Sequence, residues 1–100
     1  MPTFKSFAEF YPYYLSEHDN RMCRRLHFVG SLLVILFIAL GVGFGELGYF
    51  LAAPVAGYGF AWVGHFFFEH NKPATFRYPL YSLRGDWKMF GQILSGKIAF

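Results

Sequence analysis

A chain of 100 residues that is 55% apolar and only 15% charged lacks the polar residues to cover a water-facing surface, which excludes an ordinary soluble domain. Its net charge of +3 is small, and the cations flank two charge-free runs where anionic headgroups lie, so no nucleic-acid partner is expected. One membrane domain, 1–100, with the lipid bilayer as its first partner, is the reading that remains.

Ser6 and Glu9 have the spacing of a capping box. The helix they open, about 6–16, carries Phe7, Phe10, Tyr11, Tyr13 and Tyr14, which suit the aromatic belt of an interfacial segment. Asp19 or Asn20 is placed to cap the next helix, which runs through Arg21, Arg24 and Arg25 into a first transmembrane span, about 26–44. Cys23, the single cysteine, stands where S-palmitoylation is chemically open, although a buried small residue at a helix start is the simpler reading.

Gly45 and Glu46 turn the chain into a second span, about 47–69. Neither span reads as a cleaved signal, because the first starts late, is too long and is followed at once by the second. Ala53, Gly57, Ala61 and Gly64 form a stripe of small residues that lets another helix approach closely; a homo-oligomer stays open. Pro54 can kink this helix. Beyond Pro73, in a segment about 74–100, aromatic and basic residues alternate. Asp86 is placed to cap a last interfacial helix whose Trp87, Phe90, Ile93 and Leu94 share a face.

The fold class is therefore all-α: an integral membrane helical hairpin of two transmembrane helices with flanking amphipathic or interfacial helices. Arginines and lysines cluster at the ends away from Glu46, so the positive-inside rule puts both termini in the cytoplasm and Glu46 on the far side. The host membrane is the plasma (inner) membrane in a bacterium or the endoplasmic reticulum in a eukaryote.

All four histidines gather at one end of this hairpin. His27 and His65 lie nearly equal distances from the turn, which puts them at one depth on two antiparallel helices. His65 borders the small-residue stripe, and His27 precedes Gly30 and Ser31 on a similar face. A break at Asp19 and Asn20 lets His18 fold back towards His27. Glu69 follows His65 on the same helix side, and His70 can swing inward only if the helix stops there. Ionisable groups in a membrane segment mark function more often than chance. Imidazoles with a nearby carboxylate suit iron, zinc or copper, while the lack of thiolates argues against a structural zinc site. Two other functions fit the pattern: a b-type haem electron carrier with His27 and His65 as axial ligands, or a structural hairpin with no chemistry.

Tyr14-x-x-x-His18-x-Asn20, Leu26-His27, Gly64-His65-x-x-x-Glu69 and Pro73-Ala74 together resemble, in spacing and order, a family of small membrane proteins that includes the fungal 2-hydroxy fatty acid dioxygenase of phytosphingosine breakdown. The resemblance runs from about Phe10 to Leu83, in a chain shorter than the fungal members. It implies an iron(II)-dependent dioxygenase that uses O2 to convert a long-chain 2-hydroxy fatty acid into the acid one carbon shorter. The family's histidines fall on His18, His27 and His65 and its acidic position on Glu69, which makes these the catalytic set, with His70 as an auxiliary ligand. Arg24, Arg25, Lys72 and Arg77 are then candidates to attract the substrate carboxylate, and Trp62, Phe66 and Phe67 to hold the acyl tail.

Overall fold

Charge-free stretches of this length form long helices because every backbone N–H and C=O is then satisfied internally, and the fold is arranged around two of them. The computed structural model describes residues 3–100, and no strand occurs among them. Helix α1 covers Phe7–Ser16, α2 Arg21–Phe44, α3 Leu47–Val63 and α4 Pro79–Leu94. Residues Gly64–Glu69 extend α3 as a wider π-helical turn, and Ala74–Phe76 form a short 3-10 turn before α4.

Each boundary has a local cause. Ser6 Oγ accepts from Glu9 N at 3.2 Å and starts α1; the Glu9 carboxylate reaches back to Lys5 N instead of closing the reciprocal bond on Ser6. Asn20 Oδ1 accepts from Cys23 N at 3.2 Å and starts α2. Gly45, at φ 65°, ends α2 in the left-handed conformation that glycine adopts without strain. Pro79 opens α4, where its missing N–H leaves no intrahelical bond unmade.

Helices α2 and α3 pack antiparallel along the small residues. A Cβ on Gly57 would stand 2.7 Å from Val34 Cγ2, and one on Gly64 would stand 3.1 Å from Cys23 Cα, so the seam exists because these side chains are absent. Cys23 is fully buried in that seam, which leaves no thiol exposed for acylation. Only 17% and 22% of the two most apolar windows are buried within the chain. A core helix of a soluble protein would be mostly covered; here Ile35, Leu36, Leu51 and Val55 face outward, as lipid-facing residues do.

The flanking segments depart from the sequence expectation. Phe7, Phe10, Tyr11 and Tyr14 do not form an interfacial belt; with Met89, Ile93 and Ala74 they make the hydrophobic core of the molecule. Nor does Asp86 cap the last helix, which starts at Pro79 and carries Asp86 in its middle. Met89 and Ile93 face inward while Trp87 and Leu94 are exposed. The cause is Gly85, whose missing side chain lets the Tyr14 ring lie within 3.1 Å of where its Cβ would be. That contact turns the Gly85, Met89 and Ile93 side of α4 against α1.

Candidate metal centre

Three elements bring one imidazole each to a common point. His18 comes from the link between α1 and α2, His27 from the second turn of α2, and His65 from the π-helical turn. All three are buried, at 1%, 6% and 2% exposure. Their ring centroids lie 4.3, 4.5 and 4.9 Å apart with interplanar angles of 88°, 77° and 87°. Each offers a ring nitrogen, and the three nitrogens lie within 4.8 Å of one another.

The other ring nitrogens are committed. His18 Nδ1 lies 2.6 Å from Tyr14 O, and His27 Nδ1 3.1 Å from Cys23 O. A carbonyl oxygen only accepts, so both Nδ1 atoms carry the proton. His65 Nδ1 lies 2.7 Å from Asn71 Oδ1, and that amide is oriented by its own Nδ2, which donates to Glu17 O and Oε2 at 3.1 Å. His65 Nδ1 is therefore also the donor, and each Nε2 keeps a lone pair directed inward.

His18 Nε2 and His27 Nε2 face each other at 3.0 Å. Two lone pairs at that distance repel unless a cation is shared between them. A proton is a poor solution here, because burial first, and then His27 and His65, push the His18 pKa well below its ordinary value. A divalent ion held by His18, His27 and His65 would relieve that repulsion by accepting both lone pairs. With the His27 and His65 ring centroids 4.9 Å apart, the gap between the rings has room for an ion and none for a haem macrocycle. The residues present fit a metal ion.

Asp86 and Tyr14 complete the wall. Asp86 Oδ1 lies 4.0 Å from His27 Nε2 and accepts a hydrogen bond from Tyr14 OH, while the Tyr14 ring stacks on His18 with centroids 4.1 Å apart. Burial pushes the Asp86 carboxyl up to about 6, partly offset by the Tyr14 hydroxyl. Burial and the Asp86 charge raise the Tyr14 phenol well above its usual value. Ser82 Oγ and Trp62 Nε1 line the same small space, and neither has a hydrogen-bond partner.

The remaining sequence candidates lie elsewhere. The Glu69 carboxylate accepts from Asn20 N at 2.6 Å and so ties the end of the π-helical turn to the start of α2. His70 is exposed in the left-handed conformation that terminates this turn, outside the three-histidine group. Arg24 donates to His18 O and Asp19 O, holding the link that carries His18. Arg25 stacks over Phe100, and Lys72 and Arg77 border a surface hollow with Tyr13 and Glu17. Phe66 and Phe67 are exposed on the outside of the chain.

From the centre, a groove of about 360 Å³ runs down the hairpin seam, starting at His27 and Asp86 and passing Val34 and Gly57. Among the described residues, no lysine or arginine lines it. No local pattern marks Asp86, Asn71 or this groove as part of the site: each depends on residues brought together from distant parts of the chain.

The family model described as 2-hydroxy-palmitic acid dioxygenase Mpo1-like matches residues 4–98. Neither the curated proteins nor the solved structures contain a match.

Proposed function

The chain belongs to the Mpo1-like family, and from that premise we propose that it is an iron(II)-dependent dioxygenase acting on 2-hydroxy fatty acids drawn from the membrane. The observation that carries this reading is the set of three inward Nε2 lone pairs, each fixed by a committed Nδ1–H. His18, His27 and His65 would hold the metal, leaving positions for small ligands, as oxygenase sites with three protein ligands do. When bound, iron(II) supplies affinity for O2 and for the chelating oxygens of a 2-hydroxy acid.

The protein's own groups do the rest. Tyr14, Cys23 and Asn71 keep the imidazoles in one tautomer and one orientation. Ser82 Oγ and Trp62 Nε1, buried and unpaired, are donors suited to the substrate carboxylate, which takes the role from the four cations expected for it. Asp86 stands where the 2-hydroxyl would enter and can accept its proton, with the Tyr14 hydroxyl steadying the carboxylate. Water is kept out by the aromatic core above and the membrane below.

The test is to give the iron-loaded protein a long-chain 2-hydroxy fatty acid under 18O2 and analyse the products by mass spectrometry. The expected product is the acid one carbon shorter carrying the isotope, with the unhydroxylated acid inert. A folded, iron-replete sample that forms no shortened acid at any chain length overturns the proposal. The orientation we propose, both termini cytoplasmic with Glu46 on the far side, fails if a cysteine at position 46 in a Cys23→Ser background labels only from the cytoplasmic side.

A further inference from the structure

We infer that the groove below the histidines measures the acyl chain, and that Phe50, backed by Gly41, is its end stop. This rests on the dioxygenase reading for the identity of the headgroup, but the groove and its floor stand on geometry alone. The lining on α2 is His27, Ser31, Val34 and Ile38, all on one helix face. On α3 the lining begins at Phe50. Among the described residues, no lining residue lies nearer the turn than Ile38 and Phe50, so the groove ends there.

The end is closed by a specific contact. A Cβ on Gly41 would stand 2.8 Å from Phe50 Cε2 and 2.9 Å from Cζ, so the ring presses on bare backbone and cannot retreat further towards α2. At its head the groove is flanked by Leu83 and Trp87 of α4, beside Asp86. An occupant must therefore have a polar end at His27 and an uncharged, flexible remainder, which describes a fatty acyl chain.

The length of the groove sets its capacity. From His27 to Ile38, at about 1.5 Å per residue, is roughly 16 Å, which an extended chain with ordinary C–C bonds covers in about a dozen methylenes. Chains longer than this gain nothing further from the groove.

The experiment uses the full chain loaded with iron and kept free of O2, and measures binding of saturated 2-hydroxy acids from about ten to about twenty carbons by displacement of a fluorescent fatty acid. Affinity should rise with each added methylene until the groove is full and then level off, and the length at which it levels is the quantity read. Phe50→Ala should move the levelling point to longer chains by two or more methylenes. Ile38→Trp, at a half-exposed position where a larger side chain has room, should move it to shorter ones. Unmoved levelling points in both variants, with helicity and iron content as in the parent, overturn the inference, as does binding with no dependence on chain length. Admitting O2 then separates the two readings. A length ladder that responds to Phe50→Ala without product supports the groove and defeats the dioxygenase, whereas product formed equally at all lengths does the reverse.

Discussion

The two ends of the hairpin are built from the same pair of helices and differ in what surrounds them. Near the turn, Val42, Phe44 and Leu47 are largely exposed, and a Cβ on Gly43 or Gly48 would meet nothing within 4 Å. At the histidine end, α1 and α4 close over the helices, and a Cβ on Gly64 or Gly85 would press within 3.1 Å of a neighbour. Lipid can solvate a helix but cannot hold a side chain in one rotamer, because it offers no shaped or polar partner. A set of ligands accurate to a few tenths of an ångström needs packing and hydrogen bonds from protein. Near the turn the tight contact is apolar, Phe50 on Gly41; among the described residues the side-chain hydrogen bonds that orient a polar group come at the histidine end, from segments that include α1, its link to α2 and α4.

The comparison breaks most sharply at the ligands themselves. His27→Ala or His65→Ala should lower bound iron at fixed free iron by well over the about 100-fold that losing a supporting hydrogen bond can cost, with His18→Ala close behind; His70→Ala, at the exposed helix end, should leave it unchanged. Elemental analysis of folded samples decides this, and full iron in all three variants would remove the centre.

Next in size is the buried carboxylate. Burial holds Asp86 at about 6 against an ordinary 3.8, so the folded chain binds this proton more tightly than the unfolded chain. Stability of the metal-free protein should therefore fall as pH rises from about 4 to about 6, by about 3 kcal/mol, and stay lower above that. Denaturant titrations across this range should show the slope in the parent and lose it in Asp86→Asn.

Asn71→Ala removes the acceptor that fixes His65 and should weaken iron binding by about 10–100-fold. Asn71→Asp keeps an acceptor oxygen but sets a carboxylate against Glu17 O and Oε2 in place of the donor, so it should recover part of the loss only when combined with Glu17→Gln. Smallest are the glycines, which sharpen the contrast directly. Gly64→Ala pushes on the Cys23 backbone and should cost about 1–3 kcal/mol, while Gly48→Ala near the turn should stay within about 0.5 kcal/mol. Thermal unfolding of the two variants side by side is the measurement, and equal losses would mean that the turn end is packed as tightly as the other.

What the sequence disclosed follows the same division. Charge-free runs located both spans, and the equal distances of His27 and His65 from Gly45 and Glu46 placed them at one depth, because helix rise is a local property. Asn20 as the cap of α2 was legible for the same reason. Asp86 was not: its partner Tyr14 lies 72 residues away, and in a basic, aromatic segment an aspartate reads as a cap. Glu69 was marked by its spacing from His65, but its bond to Asn20 N, 49 residues away, was not legible locally.

The bonds that frame the histidines join residues far apart in the chain: Asn20 to Glu69, Glu17 to Asn71, Tyr14 to Asp86 and Tyr11 to Gln92. Such contacts form late in folding, because each must first overcome the entropy of closing a long loop. The α2–α3 hairpin, joined by a tight turn, can insert and pair on its own. Tyr14 and His18 reach their places only once α4, which follows both spans in the chain, has docked on α1. A chain whose hairpin has paired before α4 docks is thus expected to hold an unassembled centre, and the capacity to take up metal would signal that docking is complete.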